Sequence, residues 1–350
     1  MDVEEFLKRL EEGERFFTDI EFSRGADISR LVSRINNIIM SSVKESNPLV
    51  FDGCYFQNIS ADGIYLKNLN QMWYNEKKLY FLGCSLKKSI FTGANLKNSV
   101  FTNSDLSSSN FDDADLENAE MEKTDLTKTK MRKANLSGVN FVGANLEDAD
   151  LSESTLHSTI FANSNLHRAN LSGCEIFSTD FRESDLSESN MDCVCGTGNF
   201  AGAVLDGTGM KDVDISHSIF ENASLKGVNI TKSSFYKVDF TDANLERAVA
   251  ENSYMRHISF ENADLTDADF SDSEFHIVDF SGANMRDANL ENAVLDGCIF
   301  MNTDLRGVKG LDSVKGIERC IFINVTVTGR EKKIIEKKRV KCIDSFIVRG

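Results

Sequence analysis

Between residues 81 and 305 a large apolar side chain returns at almost every fifth position, separated by residues that are mostly small or polar. The stretch ANLKNSVFTNSDLSSSNFDDADL, residues 94–116, places Leu96, Phe101, Leu106, Phe111 and Leu116 in this way. An α-helix buries positions three and four apart, and a step of five turns about 140° around its axis. A flat strand alternates faces with period two, so an odd step sends successive apolar residues to opposite faces. Neither element buries this pattern. From Phe81 to Met191 all 23 fifth positions are Phe, Leu, Met or Ile, and from Phe200 to Leu305 the rule holds at every one of 22 positions except Ala250.

A second period lies beneath the first. Every fourth centre gives Phe81, Phe101, Met121, Phe141, Phe161 and Phe181, then Phe200, Phe220, Phe240, Phe260, Phe280 and Phe300. The neighbouring series is almost all leucine, from Leu86 to Leu305. The unit is therefore a coil of four five-residue sides, with like side chains stacked in successive coils as in other solenoids. Each side turns one corner and points inward its centre and the small residue two before it, such as Ala94, Ser104 or Ala114. With coils paired at strand spacing of about 4.8 Å, some eleven coils predict a rod roughly 50 Å long.

The motif A(D/N)Lxx over residues 81–306, and more weakly at Phe51, Phe56 and Leu66, resembles the pentapeptide-repeat family. That resemblance implies an all-β solenoid, a right-handed quadrilateral β-helix, with a short helical N-terminal region and a C-terminal cap or tail. It also implies two functional readings. One is a non-enzymatic scaffold that binds another protein. The alternative is a DNA mimic, since some family members imitate B-DNA in width and charge and bind DNA gyrase or topoisomerase IV.

Interruptions of the pattern divide the chain. Residues 1–50 read as a helical cap with an imperfect first coil at 20–22 and 26–28; Phe6, Leu7 and Leu10 share one helix face, and Leu31, Val32, Ile35, Ile38 and Ile39 share another. That second helix either packs on the coil or docks a partner. Residues 51–80 hold the weak repeats and a loop around Trp73, which either binds a ligand or anchors the loop on the coil. The regular region, 81–306, has one defect: nine residues, not ten, separate Met191 from Phe200, and Cys193 or Cys195 is expected to fill the inward site. Residues 307–350 form a degenerate last coil and a basic tail, which is a cap, a dimerisation element or an arm that folds back on the acidic surface.

Formal net charge is −16. Residues 1–50 carry −3 and 330–350 carry +5, so the middle carries −18. This disfavours direct nucleic-acid binding and adhesion to anionic membranes. No apolar run is long enough to cross a bilayer, and the acidic, amphipathic N-terminus lacks the shape of a signal peptide. Cys54, Cys84, Cys174, Cys298 and Cys320 occupy the small inward position and read as buried thiols, in keeping with a cytoplasmic protein.

No catalytic constellation, cofactor fingerprint or metal site is recognised. The pair Cys193-x-Cys195 lacks the second pair that zinc wants, and His257 with His276 supplies only two ligands. One side stands out against the acidic remainder. Around centres Ile215, Phe235, Met255 and Phe275 it displays His217, Tyr236, Lys237, Tyr254, Arg256, His257 and His276. Tyr and Arg are favoured binding anchors, so these residues and Trp73 are the candidate partner-binding positions; the alternative is chance clustering.

Overall fold

Each corner of the coil is made two residues after a buried centre. Lys88, Asn98, Asn103, Ser108 and Asp113 have φ between 55° and 60°, the left-handed region that residues with a Cβ usually avoid. The ladder offsets this cost, because the corner N–H finds a carbonyl one coil on. Lys88 donates to Ser107 O and Asp113 to Arg132 O, both at 2.9 Å. The Asn or Asp before the centre braces the same corner: Asp105 Oδ1 accepts the N–H and hydroxyl of Ser107 at 3.1 and 2.7 Å. Period five is thus a backbone period, one left-handed residue per side.

The computed structural model describes residues 2–18, 21, 31–42, 50–52, 54–57, 64, 66, 69, 78–338, 340–343 and 347–348. They fall into two units, Met1–Asp180 and Phe181–Gly350. In the first unit α1 (Val3–Glu11) is capped by Asp2, whose side chain accepts the N–H of Glu5 at 2.8 Å, and it buries Phe6, Leu7 and Leu10. β1 (Phe16–Thr18) follows, then α2 (Val32–Ser42), which buries Val32 and Ile35. β1 lies parallel to β2 (Val50–Asp52), with Phe17 opposite Phe51. Phe6 packs 5.0 Å from the Phe17 ring, so α1 covers the start of the aromatic column. The coil fragments expected at 20–22 and 26–28 lie outside the described residues, Glu21 apart.

β3 (Tyr55–Gln57) pairs with β4 (Tyr80–Leu82), and from there the coil is regular. Tyr80 bridges Val100, Ser85 bridges Asp105, Ile90 bridges Asn110 and Asn95 bridges Asp115, all parallel and each pair one full coil apart. The unit ends in β5 (Glu175–Asp180). Several buried hydroxyls at the small inward position donate to the preceding coil, as when Ser104 donates to Phe81 O at 2.7 Å and Thr124 to Phe101 O at 3.0 Å. Cys174 repeats the geometry toward Leu151 O at 3.1 Å, and all five cysteines expected inside are buried.

One outward carboxylate of this unit is nearly buried. Asp112 is 8% exposed, its Oδ2 accepts from Arg132 Nη2 at 2.6 Å, and its Oδ1 accepts from Arg132 Nε and backbone N–H. Burial pushes this carboxyl up, but the hydrogen bonds and charge of Arg132 outweigh it and hold the group below the usual range. Asp112→Asn is therefore expected to lose about 1 kcal/mol at neutral pH, the value expected when the arginine is half exposed. The difference from wild type should vanish as pH falls through the depressed titration of Asp112. Urea midpoints measured across pH check this; a difference that persists in acid refutes it.

In the second unit β6 (Cys195–Asn199), β7 (Asp214–Ser216), β8 (Ser234–Tyr236), β9 (Tyr254–Arg256), β10 (Glu274–His276) and β11 (Val294–Asp296) form one parallel ladder. Its inward residues run Ile215, Phe235, Met255, Phe275 and Leu295 in register. Up to residue 298 the other three sides pair by single bridges. From Phe181 to Phe300 the aromatic column stacks ring on ring at 4.4–5.4 Å, with planes within 21°.

The defect differs from expectation. Cys193 is exposed at a left-handed corner and Cys195 is half-buried, so neither thiol fills the inward site. Val194 does, fully buried, and Gly196 stands opposite Ile215 as the centre. The missing residue is lost after Gly196, which leaves a side one residue short between that centre and Phe200.

Beyond β12 (Ile299–Met301) the last coil is two residues longer than the regular one, since Phe300 is opposite Phe322 of β13 (Ile321–Ile323). β14 (Thr326–Val327) leads into α3 (Gly329–Lys337), which starts with a capping box between Thr328 and Glu331 and buries Ile335. β15 (Lys341–Ile343) then pairs with β13 and β16 (Ile347–Val348) with β14. The described part of the basic tail therefore adds one strand beside β13 and one beside β14.

Candidate interaction face

The β7–β11 ladder turns three outward columns to solvent. Strand register sets Tyr236, Arg256, His276 and Asp296 side by side in one of them. In a second, before the centres, Tyr254 lies between Ser234 and Glu274. The third is the corner column of His217, Lys237, His257 and Ile277, with φ of 48°, 54°, 55° and 57°.

Tyr236 organises the middle. His217 and His257 meet its ring edge-on, at centroid separations of 5.5 and 5.7 Å. Lys237 Nζ lies 5.2 Å and the Arg256 guanidinium 6.0 Å from the same ring centroid, within reach of its electron-rich face. Tyr254, 39% exposed, leans on His276 at 5.4 Å. His276 in turn lies 3.5 Å from both Glu274 Oε2 and Asp296 Oδ2, and Asp296 Oδ1 pairs with Arg319 Nε at 2.8 Å. The Asp296 carboxylate is thus engaged. Lys237 and Arg256 make no ion pair among the described residues.

The ladder brings together five of the predicted positions, Tyr236, Tyr254, Arg256, His257 and His276. Trp73, the sixth, lies outside the described residues. His257 and His276 occupy different columns, joined by a backbone hydrogen bond from His257 N–H to His276 O at 3.0 Å. Among the described residues no group of three or more His, Cys, Asp or Glu side chains gathers as metal ligands. No helix of those residues is long and apolar enough to cross a membrane.

Sequence reasoning missed Ile277. It is 55% exposed and is the one β-branched residue among the described left-handed non-glycine positions. Such a residue strains the backbone where Asn or Asp would relax it, and it spends an apolar side chain on solvent. The first unit has an exposed aromatic of its own in Phe177, whose ring meets His157 edge-on at 5.0 Å.

Four-sided coils with parallel bridges, stacked apolar columns inside and polar corners outside define a β-solenoid repeat protein. More narrowly, the chain belongs to the pentapeptide-repeat family: eight copies of the pentapeptide-repeat model match residues 80–118, 109–148, 139–176, 149–188, 164–195, 210–247, 243–282 and 273–309. Among solved structures it is similar to HetL of the cyanobacterium Nostoc sp. strain PCC 7120, a pentapeptide-repeat protein involved in heterocyst differentiation regulation, at 19% identity over 92% of this chain and 97% of that one, with a TM-score of 0.20. It is also similar to a trypsin-treated form of QnrB1, a plasmid-mediated fluoroquinolone resistance protein, at 18% identity over 55% and 82%, with a TM-score of 0.28. A third is the pentapeptide-repeat protein Rfr23 of the cyanobacterium Cyanothece 51142, at 16% identity over 50% and 99%, with a TM-score of 0.14. No curated protein matches the chain.

Proposed function

We propose that this pentapeptide-repeat chain is a non-enzymatic binding scaffold whose β7–β11 face recognises another protein. The observation that carries the reading is Ile277, an exposed apolar residue kept in a strained corner beside the Tyr236 cluster. Strain that the fold does not need is explained by a function outside the fold. The ladder supplies a rigid, flat base, and Tyr and Arg are the residue types that most often anchor interfaces. The outward residues along the phenylalanine column, among them Glu221, Asp242 and Glu261, favour a second reading, an acidic surface that imitates DNA before a topoisomerase.

Affinity capture with the full-length chain, followed by variants against the captured partner, tests both. Ile277→Asn should raise the urea midpoint, by about 1 kcal/mol of relieved strain, yet weaken partner binding. Changing Tyr236, Tyr254, Arg256 and His257 together to Ser or Asn should leave folding nearly intact and reduce binding at least about tenfold. Charge reversal of Glu221, Asp242 and Glu261 to Lys should leave a scaffold's partner bound but release the target of a DNA mimic. If the four-residue variant binds normally, the β7–β11 face is not the recognition surface.

A further inference from the structure

We propose, building on the reading of this face as a recognition surface, that it takes an acidic, extended segment of a protein partner, with carboxylates engaging Lys237 and Arg256. The two cations share one aromatic ring, a contact to a ring that only Arg9 repeats among the described residues. Elsewhere Arg132, Arg168, Arg306 and Arg319 each hold a carboxylate of their own. Among the described residues Lys237 and Arg256 hold only the Tyr236 ring, in a molecule with formal charge −16 where carboxylates are plentiful. A cation–ring contact at an exposed site is weaker than a charge-assisted bidentate hydrogen bond, so the guanidinium keeps most of its bonding capacity.

The geometry also suits a shared anion. Lys237 N–H donates to Arg256 O at 3.0 Å, so the two residues sit on adjacent coils at the junction of two outward columns. Tyr236 braces both side chains before any partner arrives, which lowers the ordering cost of binding. Of the acidic groups on the ladder, Asp296 is drawn to Arg319 and lies two strands from Arg256, and Glu274 stands in the column before the centres. Ile277, two corners on from Lys237 and next to His257, adds an exposed apolar side chain to the same column. A nucleic acid fits less well. Its phosphates demand many cations, and the net negative charge of the chain repels a long polyanion more than a short acidic segment.

The test uses the full-length chain and a fluorescein-labelled hexaglutamate peptide, read by anisotropy at low and moderate salt. Wild type should bind, and added salt should weaken the complex. Lys237→Gln with Arg256→Gln should reduce affinity at least about tenfold, as loss of anchoring contacts does. Lys226→Gln with Arg286→Gln, the same charge change on another side of the coil, should leave it within about twofold. Absence of binding by wild type, equal loss in both double variants, or oligothymidylate held as tightly through Lys237 and Arg256 would each overturn the proposal. The captured partner separates this failure from failure of the face itself. If the Tyr236, Tyr254, Arg256, His257 variant releases that partner while Lys237→Gln with Arg256→Gln does not, the recognition face stands and the acidic segment falls.

Discussion

Replacing Leu146 with aspartate is expected to abolish cooperative folding. Leu146 is wholly buried, as are Leu126 and Leu166, the column residues one coil to either side. Its N–H already donates to Asn165 O at 2.6 Å, and the ladder around it consumes the nearby carbonyls. A carboxyl group there has no water and no free partner, which costs about 2–7 kcal/mol even when neutral. Domains are stable by only about 5–15 kcal/mol, and a solenoid passes cooperativity from coil to coil, so one ruined coil uncouples its neighbours. The sign of the pH dependence follows. Burial raises the carboxyl's folded pKa above its unfolded value of about 4, so the deficit grows as pH rises through that window. Leu146→Asn, which carries no charge, should show no such growth. Circular dichroism melting across pH reads both; a cooperative melt unchanged from wild type would refute the buried leucine column.

Much of the fold was legible because the period records a backbone necessity. One left-handed corner and one buried centre recur on every side, so a single phase read at Leu96 holds at Leu305, apart from the one defect. Like stacks on like because adjacent coils are one strand spacing apart, which made the phenylalanine and leucine columns readable as columns. The defect was less legible. Gly196 takes the place of a centre without an apolar side chain, so periodicity could not tell where the residue was lost. The two cysteines drew attention, while Val194 in ordinary phase did the burying.

The candidate face was readable in composition and not in energetics. Counting outward residues collected Tyr236, Tyr254, Arg256, His257 and His276, because register in a coil follows from sequence spacing. It passed over Ile277, since an isoleucine two places after a centre is merely out of phase until its φ is known. The charge logic was hidden for another reason. Arg319, which engages Asp296, comes from the lengthened last coil, where the regular period fails and spacing no longer predicts neighbours.

The short side after Gly196 makes a second strong prediction: Gly198→Val should destabilise the chain by about 3 kcal/mol, at the upper end of overpacking effects. A Cβ at Gly198 would stand 2.7 Å from Phe200 Cε2 and 3.2 Å from Cζ. The ring has nowhere to go, stacked between Phe181 at 4.8 Å and Phe220 at 4.4 Å. Nor does the backbone, since Gly198 N–H donates to Ser218 Oγ at 2.9 Å and its carbonyl accepts from Ile219 N–H at 3.1 Å. Valine is not excluded from this position in general. Val238 lies buried two residues before Phe240 in the same column, on a side of normal length. The clash therefore belongs to the missing residue, which draws the chain at Gly198 toward the ring. Inserting one asparagine after Thr197 in the Gly198→Val background should supply the absent left-handed corner and restore most of the lost stability. Urea denaturation of the three proteins checks both halves. A valine variant as stable as wild type would show that the chain does not run tight there, and an insertion that worsens the variant would place the deletion elsewhere on the coil.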